Sequence, residues 1–154
     1  MAGIGREAGV SRRTLYRYFN NREDVLEAIA EHVGGTYSRI IEDAIAAVPE
    51  LDRRVDVVLS TTVHYGDHHP AAVAVFQMEP GFTLQFLQST LAHYVDVIAT
   101  AIEPAVASLD VVRRGGVTVD QIAEIIIRLG VSGFMLDSDE RESLGAVLTQ
   151  LLHA

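Results

Sequence analysis

The sequence contains no cysteine, which excludes disulfide bonds and thiolate metal sites. No apolar run approaches the roughly 20 residues that a membrane-spanning helix needs. The N-terminus also lacks the apolar segment of a signal peptide. We therefore expect a cytoplasmic protein that does not insert into membranes.

The sequence also lacks the short motifs of common enzymes. It has no Gly-x-Ser-x-Gly elbow, no glycine-rich phosphate loop and no His-Glu-x-x-His zinc motif. Serine, histidine and aspartate occur, but their positions establish no catalytic triad. We therefore predict that the protein is not an enzyme and has no cofactor.

What the chain does contain is an uneven distribution of charge. The formal net charge is -9 over 154 residues, but residues 1–22 carry five arginines and one glutamate, a charge of +4. The other 132 residues therefore carry -13. A basic end on an acidic body restricts where a polyanion can bind.

Apolar residues recur at steps of three and four along most of the chain, which is typical of amphipathic helices. No segment has the pattern of a strand, so we predict an all-α fold. The predicted helices cover residues 2–8, 12–19, 22–48, 52–65, 70–78, 82–104, 118–136 and 139–152. Gly66 should end the fourth of these, Pro104 should kink or end the sixth, and residues 113–116 should form a loop.

The third predicted helix contains the pair Gly34-Gly35, which should interrupt it. A kink or a close crossing of another helix would explain the pair, and so would a hinge.

Residues 8–26 carry the most specific pattern. Gly9 can close one helix and Ser11 can cap the next, which gives a helix, a tight turn and a second helix rich in arginine and tyrosine. The wording Ala-Gly-Val-Ser-x-x-Thr-Leu-Tyr-x-Tyr-Phe, followed by Asn-Asn-Arg-Glu-Asp-Val-Leu, resembles the DNA-binding end of TetR-family transcriptional repressors.

This resemblance implies a helix-turn-helix head in residues 1–30 and a helical effector-binding and dimerisation domain in residues 31–154. In such a head the second helix of the motif enters the major groove. By resemblance, the DNA-binding residues are Ser11, Arg12, Arg13, Thr14, Tyr16, Arg17, Tyr18 and Arg22. Of these, Tyr18 and Arg22 would contact phosphates, while bases or nearby backbone would be contacted by Arg12, Arg13, Thr14 and Tyr16.

The resemblance begins late in the family pattern. A TetR-type head has three helices, and the first normally precedes residues 4–9 by about twenty residues. We therefore expect an N-terminally truncated head. This expectation leaves open a ligand-binding and dimerisation module that no longer binds DNA.

Aromatic and methionine side chains from three consecutive predicted helices could converge on a cavity. In the family, the corresponding helices line a pocket for a small effector, although ordinary core packing would use the same residue types. The candidate lining residues are Tyr65, Phe76, Met78, Phe82, Phe86 and Tyr94.

The last two predicted helices are the candidates for dimerisation, because by resemblance they would form a four-helix bundle with their copies. Closure of the monomer core is the alternative.

A polar cluster contains His64, Asp67, His68 and His69. His64 and His68 are four apart, a spacing that on one helix could hold a metal ion, but Gly66 should break the helix between them. We predict a solvent-exposed helix end without a metal, and keep a metal protein or enzyme that uses these histidines as an alternative. The main prediction is a homodimeric regulator that binds a double-stranded DNA operator and, as a repressor, is released by a small molecule.

Overall fold

The computed structural model describes residues 11–135 together with Val147, Leu148 and Gln150. All regular structure in these residues is helical, so the predicted all-α fold is confirmed. The α-helices are α1 (Arg12–Tyr18), α2 (Arg22–Ala47), α3 (Arg54–Val63), α4 (Tyr65–His68), α5 (Pro70–Met78), α6 (Pro80–Val106), α7 (Asp110–Arg113) and α8 (Val119–Met135). A 3-10 turn, Leu51–Arg53, precedes α3. No helix in this part of the chain is long and apolar enough to cross a membrane.

Two sequence predictions lie largely outside the described residues. These are the turn at Gly9 with the helix at residues 2–8, and the helix at residues 139–152, of which only Val147, Leu148 and Gln150 are described, as helical.

Side-chain caps fix the start of α1, as predicted, and the start of α2. The Ser11 hydroxyl accepts the Thr14 N–H at 3.1 Å, and the Asn21 side chain accepts the Asp24 N–H at 2.8 Å. The Asp24 carboxylate accepts the backbone and side-chain N–H groups of Asn20, each at 3.0 Å, and the backbone bond is the largest cause of the lowered pKa of Asp24.

Helix α2 runs for 26 residues without a break, so the predicted interruption at Gly34-Gly35 is wrong. A Cβ on Gly34 would lie 3.1 Å from the hydroxyl oxygen of Tyr94, whereas a Cβ on Gly35 would meet no atom within 4 Å. Gly34 therefore serves a close approach to α6, and the packing around the helix outweighs the low helical propensity of glycine.

The boundary predicted at Gly66 is also wrong, because α3 ends at Val63 and Gly66 lies inside the short helix α4. His64 leaves helical geometry at φ -92° and ψ 6°. The next residue, Tyr65, is buried, and its hydroxyl donates to the Val33 carbonyl at 3.3 Å. Insertion of this ring into the core turns the chain before glycine is reached.

Helix α6 begins at Pro80, two residues earlier than predicted, and continues two residues beyond Pro104. Proline cannot donate to the carbonyl of Thr100, four residues back. Thr100 is exposed, so water can satisfy that carbonyl and the last turn survives. The predicted loop at residues 113–116 is shorter than expected, because Arg113 is the last residue of α7.

The core lies where α6 and α8 pack together and α3 packs against α2, α6 and α8. Its most deeply buried side chains include Ile41, Val58, Ile98, Ile102, Val106, Ile122 and Ile126. A second group, here called the head cluster, consists of Val25 and Leu26 with Phe19, Ile29 and Phe82 packed against them. Ile29 and Phe82 also pack against the main core, so the two clusters are continuous.

Candidate functional site

Helix α1 presents two arginine and two tyrosine side chains to solvent. Tyr16 is 56% exposed and Tyr18 is 69% exposed, and the side chains of Arg13 and Arg17 are exposed as well. Phe19, just after the helix, packs against the head cluster and holds this end of the chain on the protein. Phe19 thus anchors the segment to the protein, and the exposed arginine and tyrosine side chains remain accessible to a partner.

Arg17 and Tyr18 form a local pair on this surface. The Arg17 guanidinium donates to the Tyr18 hydroxyl at 2.9 Å, and its central carbon lies 4.8 Å from the centre of the Tyr18 ring. Stacking of this kind orders both side chains before any ligand arrives.

Arg22 lies at the start of α2 and forms an ion pair with Glu79, the residue before α6. The two side chains are 42% and 22% exposed. The partner carboxylate belongs to the body, so Arg22 connects the head to the α5–α6 junction. A contact of Arg22 with a phosphate would have to compete with this carboxylate.

A cavity lies within the body among α2, α3, α4, α5, α6 and α8. Its walls are formed by Val33, Tyr37, Thr62, Tyr65, Phe76, Phe86, Leu87, Tyr94, Ile127, Gly130 and Val131, none of which carries a charge. The space between its walls, including the part open to solvent, is about 420 Å³. The centre of a water molecule fits within only about 40 Å³ of this space, because the walls are close together. An apolar cavity of about 150 Å³ admits benzene. A ligand of that size therefore requires the walls to move.

The rings around the cavity pack edge to face and in stacks. Tyr37 lies 5.4 Å from Tyr65 and 5.2 Å from Tyr94 between ring centres, with steep interplanar angles of 75° and 80°. Phe76 stacks on Phe86 at 5.6 Å. Such pairs are favoured by the ring quadrupoles and give the cavity an aromatic wall.

The hydroxyl groups of Thr62, Tyr37 and Tyr65 are bonded to one another or to the backbone. Thr62 donates its only hydroxyl proton to the Val58 carbonyl at 2.7 Å. The Tyr37 hydroxyl, 2.8 Å from the Thr62 oxygen, must therefore be the donor in that contact. Tyr65 likewise gives its proton to Val33.

Burial changes the ionisation of these phenols. It raises the pKa of Tyr65 to about 12 and also raises the pKa of Tyr37 and of Tyr94. All three tyrosines of the cavity therefore remain neutral at physiological pH.

Residues 1–29 match the family described as bacterial regulatory proteins, tetR family. The N-terminal segment of the chain is thus similar to TetR-family proteins. The chain is 28% identical over 99 residues to the nucleoid occlusion factor SlmA of Haemophilus influenzae, a match that covers 62% of the chain and 44% of SlmA. It is 29% identical over 156 residues to the HTH-type transcriptional regulator Rv1255c of Mycobacterium tuberculosis, covering 99% of the chain and 74% of that protein. No solved structure gives a significant match.

Four of the six predicted pocket residues line the cavity: Tyr65, Phe76, Phe86 and Tyr94. Met78 does not, because it lies at the end of α5 and is 45% exposed. Phe82 does not line it either, because it stacks on Phe86 from the side of the head cluster.

The lining residues from α2, α3 and α8 were not among the six predicted ones. Tyr37 and Thr62 lie on the apolar sides of their predicted helices, and Gly130 allows another helix to approach closely, so each position carries a signal in the sequence. None of these signals indicates a cavity wall, because that depends on which helices cross.

The predicted DNA-binding residues lie on one short segment, residues 11–22. Ser11 caps α1, and Thr14 is half-buried beside it with its hydroxyl 2.9 Å from that of Ser11. Arg12 belongs to the same helix. The Arg22 side chain is directed toward Glu79.

His64, His68 and His69 line a surface groove beside Ile40 and Ala44. The His69 ring stacks on Tyr65 at 4.4 Å, and its pKa is lowered by burial and by the neighbouring histidines. Among the residues that the structure describes, no group of three or more histidine and acidic side chains is arranged to hold a metal ion.

Proposed function

We propose that this protein is a DNA-binding transcriptional regulator whose residues 1–30 read DNA and whose residues 31–154 sense a small molecule. The observation that carries the proposal is the exposed arginine and tyrosine surface of α1, fixed to the head cluster through Phe19. Arginine in a helix-turn-helix can donate to guanine edges and to phosphates. The family match and the relation to an HTH-type regulator support the same role.

We propose a homodimer as the active form, with α8 and the following helical segment as the interface. Ile125 and Val147 are 43% and 48% exposed, which gives these segments apolar surface to bury. Two heads spaced by roughly 34–36 Å would then read successive major grooves of a near-palindromic operator. Sedimentation as a monomer at micromolar concentration would contradict the dimer.

An effector in the cavity would act on the head through α5 and α6. Phe76 and Phe86 line the cavity, and Phe86 stacks on Phe82 at 6.2 Å between ring centres. Phe82 packs against Val25 and Leu26 in the head cluster. Movement of the cavity wall would therefore be transmitted to the head, and the ligand would favour the conformation for which it has the higher affinity. We propose repression, with release by the effector, because the resemblance to TetR-family repressors implies it.

The test is a titration of the protein with duplex DNA at several salt concentrations. Genomic fragments that flank its own gene would be compared with an unrelated duplex of equal length. Each neutralised phosphate lowers log affinity by about 0.9 per unit of log salt. Arg17→Ala should weaken binding and reduce this slope by about 1, because it removes one positive charge from the surface proposed to bind DNA.

Arg39→Ala is the matched control, because Arg39 is an exposed arginine on α2 far from α1. It should leave both affinity and slope unchanged. Binding that is independent of salt, or an equal response to the two substitutions, would contradict DNA reading by α1. A ligand-binding module without DNA affinity would then be the better description.

A further inference from the structure

We propose that the surface groove between α2 and the segment of α3 and α4 is a binding site for a small multivalent oxyanion, the chemistry that a phosphate group carries. This is the groove lined by His64, His68 and His69. It is separate from the internal cavity, although Val33 and Tyr65 contact both spaces. Neither DNA binding nor a ligand in the cavity is needed for such a site.

Imidazole rings from two parts of the chain meet in this groove. They belong to His32 on α2 and to His64, His68 and His69 in the segment that follows α3. The two halves of the groove share the last two of these rings, so all four border one continuous space. The lining also includes the hydroxyl groups of Thr36, Ser60 and Thr61. Protonated imidazoles and hydroxyls are hydrogen-bond donors, which is what the oxygens of an oxyanion require.

Two of the rings are held in place by the protein. The Nδ1 atom of His64 lies 2.9 Å from the Ser60 carbonyl oxygen, which can only accept, so Nδ1 carries the proton of the neutral ring. Protonation of His64 therefore adds its second proton at Nε2. The His69 ring stacks on Tyr65, with an angle of 24° between the ring planes. Rings that are positioned in advance reduce the entropy cost of binding a ligand.

The charges around the groove favour an anion over a cation. Among the described residues that line it, none is acidic, although the chain has 21 acidic residues. The acidic residues on adjoining turns of α2, α3 and α4 are Asp43, Asp56 and Asp67, and all three are exposed and outside the lining. Arg39, one turn before Asp43, carries the opposite charge. Helix α5, which contributes Pro70, contains no charged residue.

Protonation of the rings and binding of an anion should promote each other. Burial lowers the pKa of His69, and His68 and His32 lower it further. These two neighbours act as like charges, so protonating several rings together costs free energy. A bound dianion supplies each protonated ring with an opposite charge and offsets that cost. By linkage, protons should then increase the affinity for the anion.

The groove has room for such a ligand without movement of its walls. The centre of a water molecule fits within about 530 Å³ in one half and about 240 Å³ in the other, against about 40 Å³ in the internal cavity. A water molecule occupies about 30 Å³ of the liquid. An oxyanion several times larger than water, with a small organic substituent, can therefore enter the groove directly.

The experiment measures the pKa of each histidine by NMR titration of the full chain, in sodium sulfate and in sodium chloride at equal ionic strength. Sulfate is the probe because it keeps two negative charges throughout the pH range in which histidine titrates. We expect at least two of the four groove histidines to bind protons about 10 times more tightly in sulfate, because a nearby opposite charge favours the protonated form. His93 is the internal control, since it is exposed on α6 and does not line the groove.

The affinity for sulfate should fall as the pH rises. An ordinary histidine is about three-quarters protonated at pH 6 and about 3% protonated at pH 8. A site that requires one protonated imidazole should therefore bind sulfate about 25 times more weakly at pH 8 than at pH 6. Equal affinity at the two pH values would refute a role for the imidazoles.

A pair of glutamine variants locates the site. His68→Gln removes a ring that borders both halves of the groove, and it should weaken sulfate binding at pH 6 by about 3- to 10-fold through loss of a charged hydrogen bond. His93→Gln is the matched control and should leave the affinity unchanged. Thermal unfolding of both variants would verify that they fold.

Three results would overturn the site. The first is an equal effect of sulfate on His93 and on the groove histidines, which would indicate a general salt effect. The second is the absence of any effect of sulfate on the groove histidines. The third is a response of these histidines to Zn²⁺ alone and not to sulfate, which would indicate a metal ligand set in place of an anion site.

Discussion

Gly130 marks the place where α8 crosses α3, and its replacement by alanine gives the sharpest test of the packing. A Cβ at this position would lie 2.6 Å from the Cγ2 atom of Thr62 and 3.0 Å from its carbonyl oxygen. Thr62 cannot simply rotate away, because its hydroxyl is bonded to both Val58 and Tyr37. Alanine must therefore separate the two helices or break those hydrogen bonds.

The magnitude follows from two opposing terms. Overpacking of a filled core costs about 1–3 kcal/mol. Replacing glycine by alanine inside a helix recovers about 0.8–1 kcal/mol. We expect Gly130→Ala to lower the free energy of unfolding by up to about 2 kcal/mol, the difference between these terms.

Gly35→Ala is the matched control, because it has the helical gain without the collision. Gly35 lies inside α2 with no atom within 4 Å of the position that a Cβ would occupy. This variant should be stabilised by about 0.8–1 kcal/mol. The difference between the two variants then measures the strain at the helix crossing alone, about 1–3 kcal/mol.

The assay is urea unfolding followed by circular dichroism for each variant. Adding Thr62→Ser to Gly130→Ala should restore part of the loss, because serine lacks the Cγ2 methyl group but keeps the hydroxyl. Recovery should be incomplete, since the carbonyl oxygen of residue 62 remains at 3.0 Å. Equal stabilisation by Gly130→Ala and Gly35→Ala would refute the close crossing of α3 and α8.

Three further predictions concern other parts of the molecule. Glu79→Gln should free Arg22 and steepen the salt dependence of DNA affinity by about 0.9, at a cost in stability below about 1 kcal/mol, whereas Glu103→Gln should change neither. The pKa of Tyr65 rises from 10.0 to about 12 on folding, so Tyr65 loses its proton at a lower pH in the unfolded chain than in the folded one. The free energy of unfolding should therefore be unchanged below pH 10 and fall as the pH rises toward 12. Thr118→Ala should lower the free energy of unfolding by about 1 kcal/mol through loss of the cap of α8, and serine at the same position should retain it.

Each of these three has a contradicting result. An unchanged salt dependence in Glu79→Gln would mean that its ion pair does not compete with DNA. A urea midpoint at pH 11 equal to that at pH 9 would show that the Tyr65 ring is not held in the core. Equal stability of the alanine and serine variants at position 118 would show that the hydroxyl cap does not stabilise α8.

The helices that the sequence predicted well are those with signals in their own residues. Asn21 marks the start of α2, and apolar steps of three and four lead to Pro49, close to the observed end at Ala47. Thr118 and Gln121 have the spacing of a capping box, and they form its two reciprocal hydrogen bonds at the start of α8. Caps and periodicity act over a few residues, so they can be read without knowledge of the fold.

The errors arose where distant residues decide the local structure. The chain turns at His64 because the Tyr65 ring enters the core beside Val33, and Gly66 has no part in this. The pairing of Arg22 with Glu79 joins residues 57 apart in sequence and could not be inferred from either neighbourhood.

The residues that line the cavity also fall into those that could be predicted from the sequence and those that could not. Aromatic residues of α4, α5 and α6 were identifiable by type, but the contribution of α8 was not. A glycine inside a predicted helix, such as Gly130, indicates that another helix can approach closely, but it does not identify Thr62 as the residue it meets. Long-range contacts of this kind set which side chains share a wall.

Helix α2 is continuous, so it connects the cavity rigidly to the head. Val33 and Tyr37 touch the cavity, and Arg22 stands fifteen residues before Tyr37, a distance of about 22 Å along a helix that rises 1.5 Å per residue. If α2 rotates by roughly 10° about Tyr37, Arg22 moves by about 4 Å. This is close to the distance of about 3.4 Å between stacked base pairs. A small displacement of the cavity rings near Tyr37 can thus shift the head by about one base pair along the duplex.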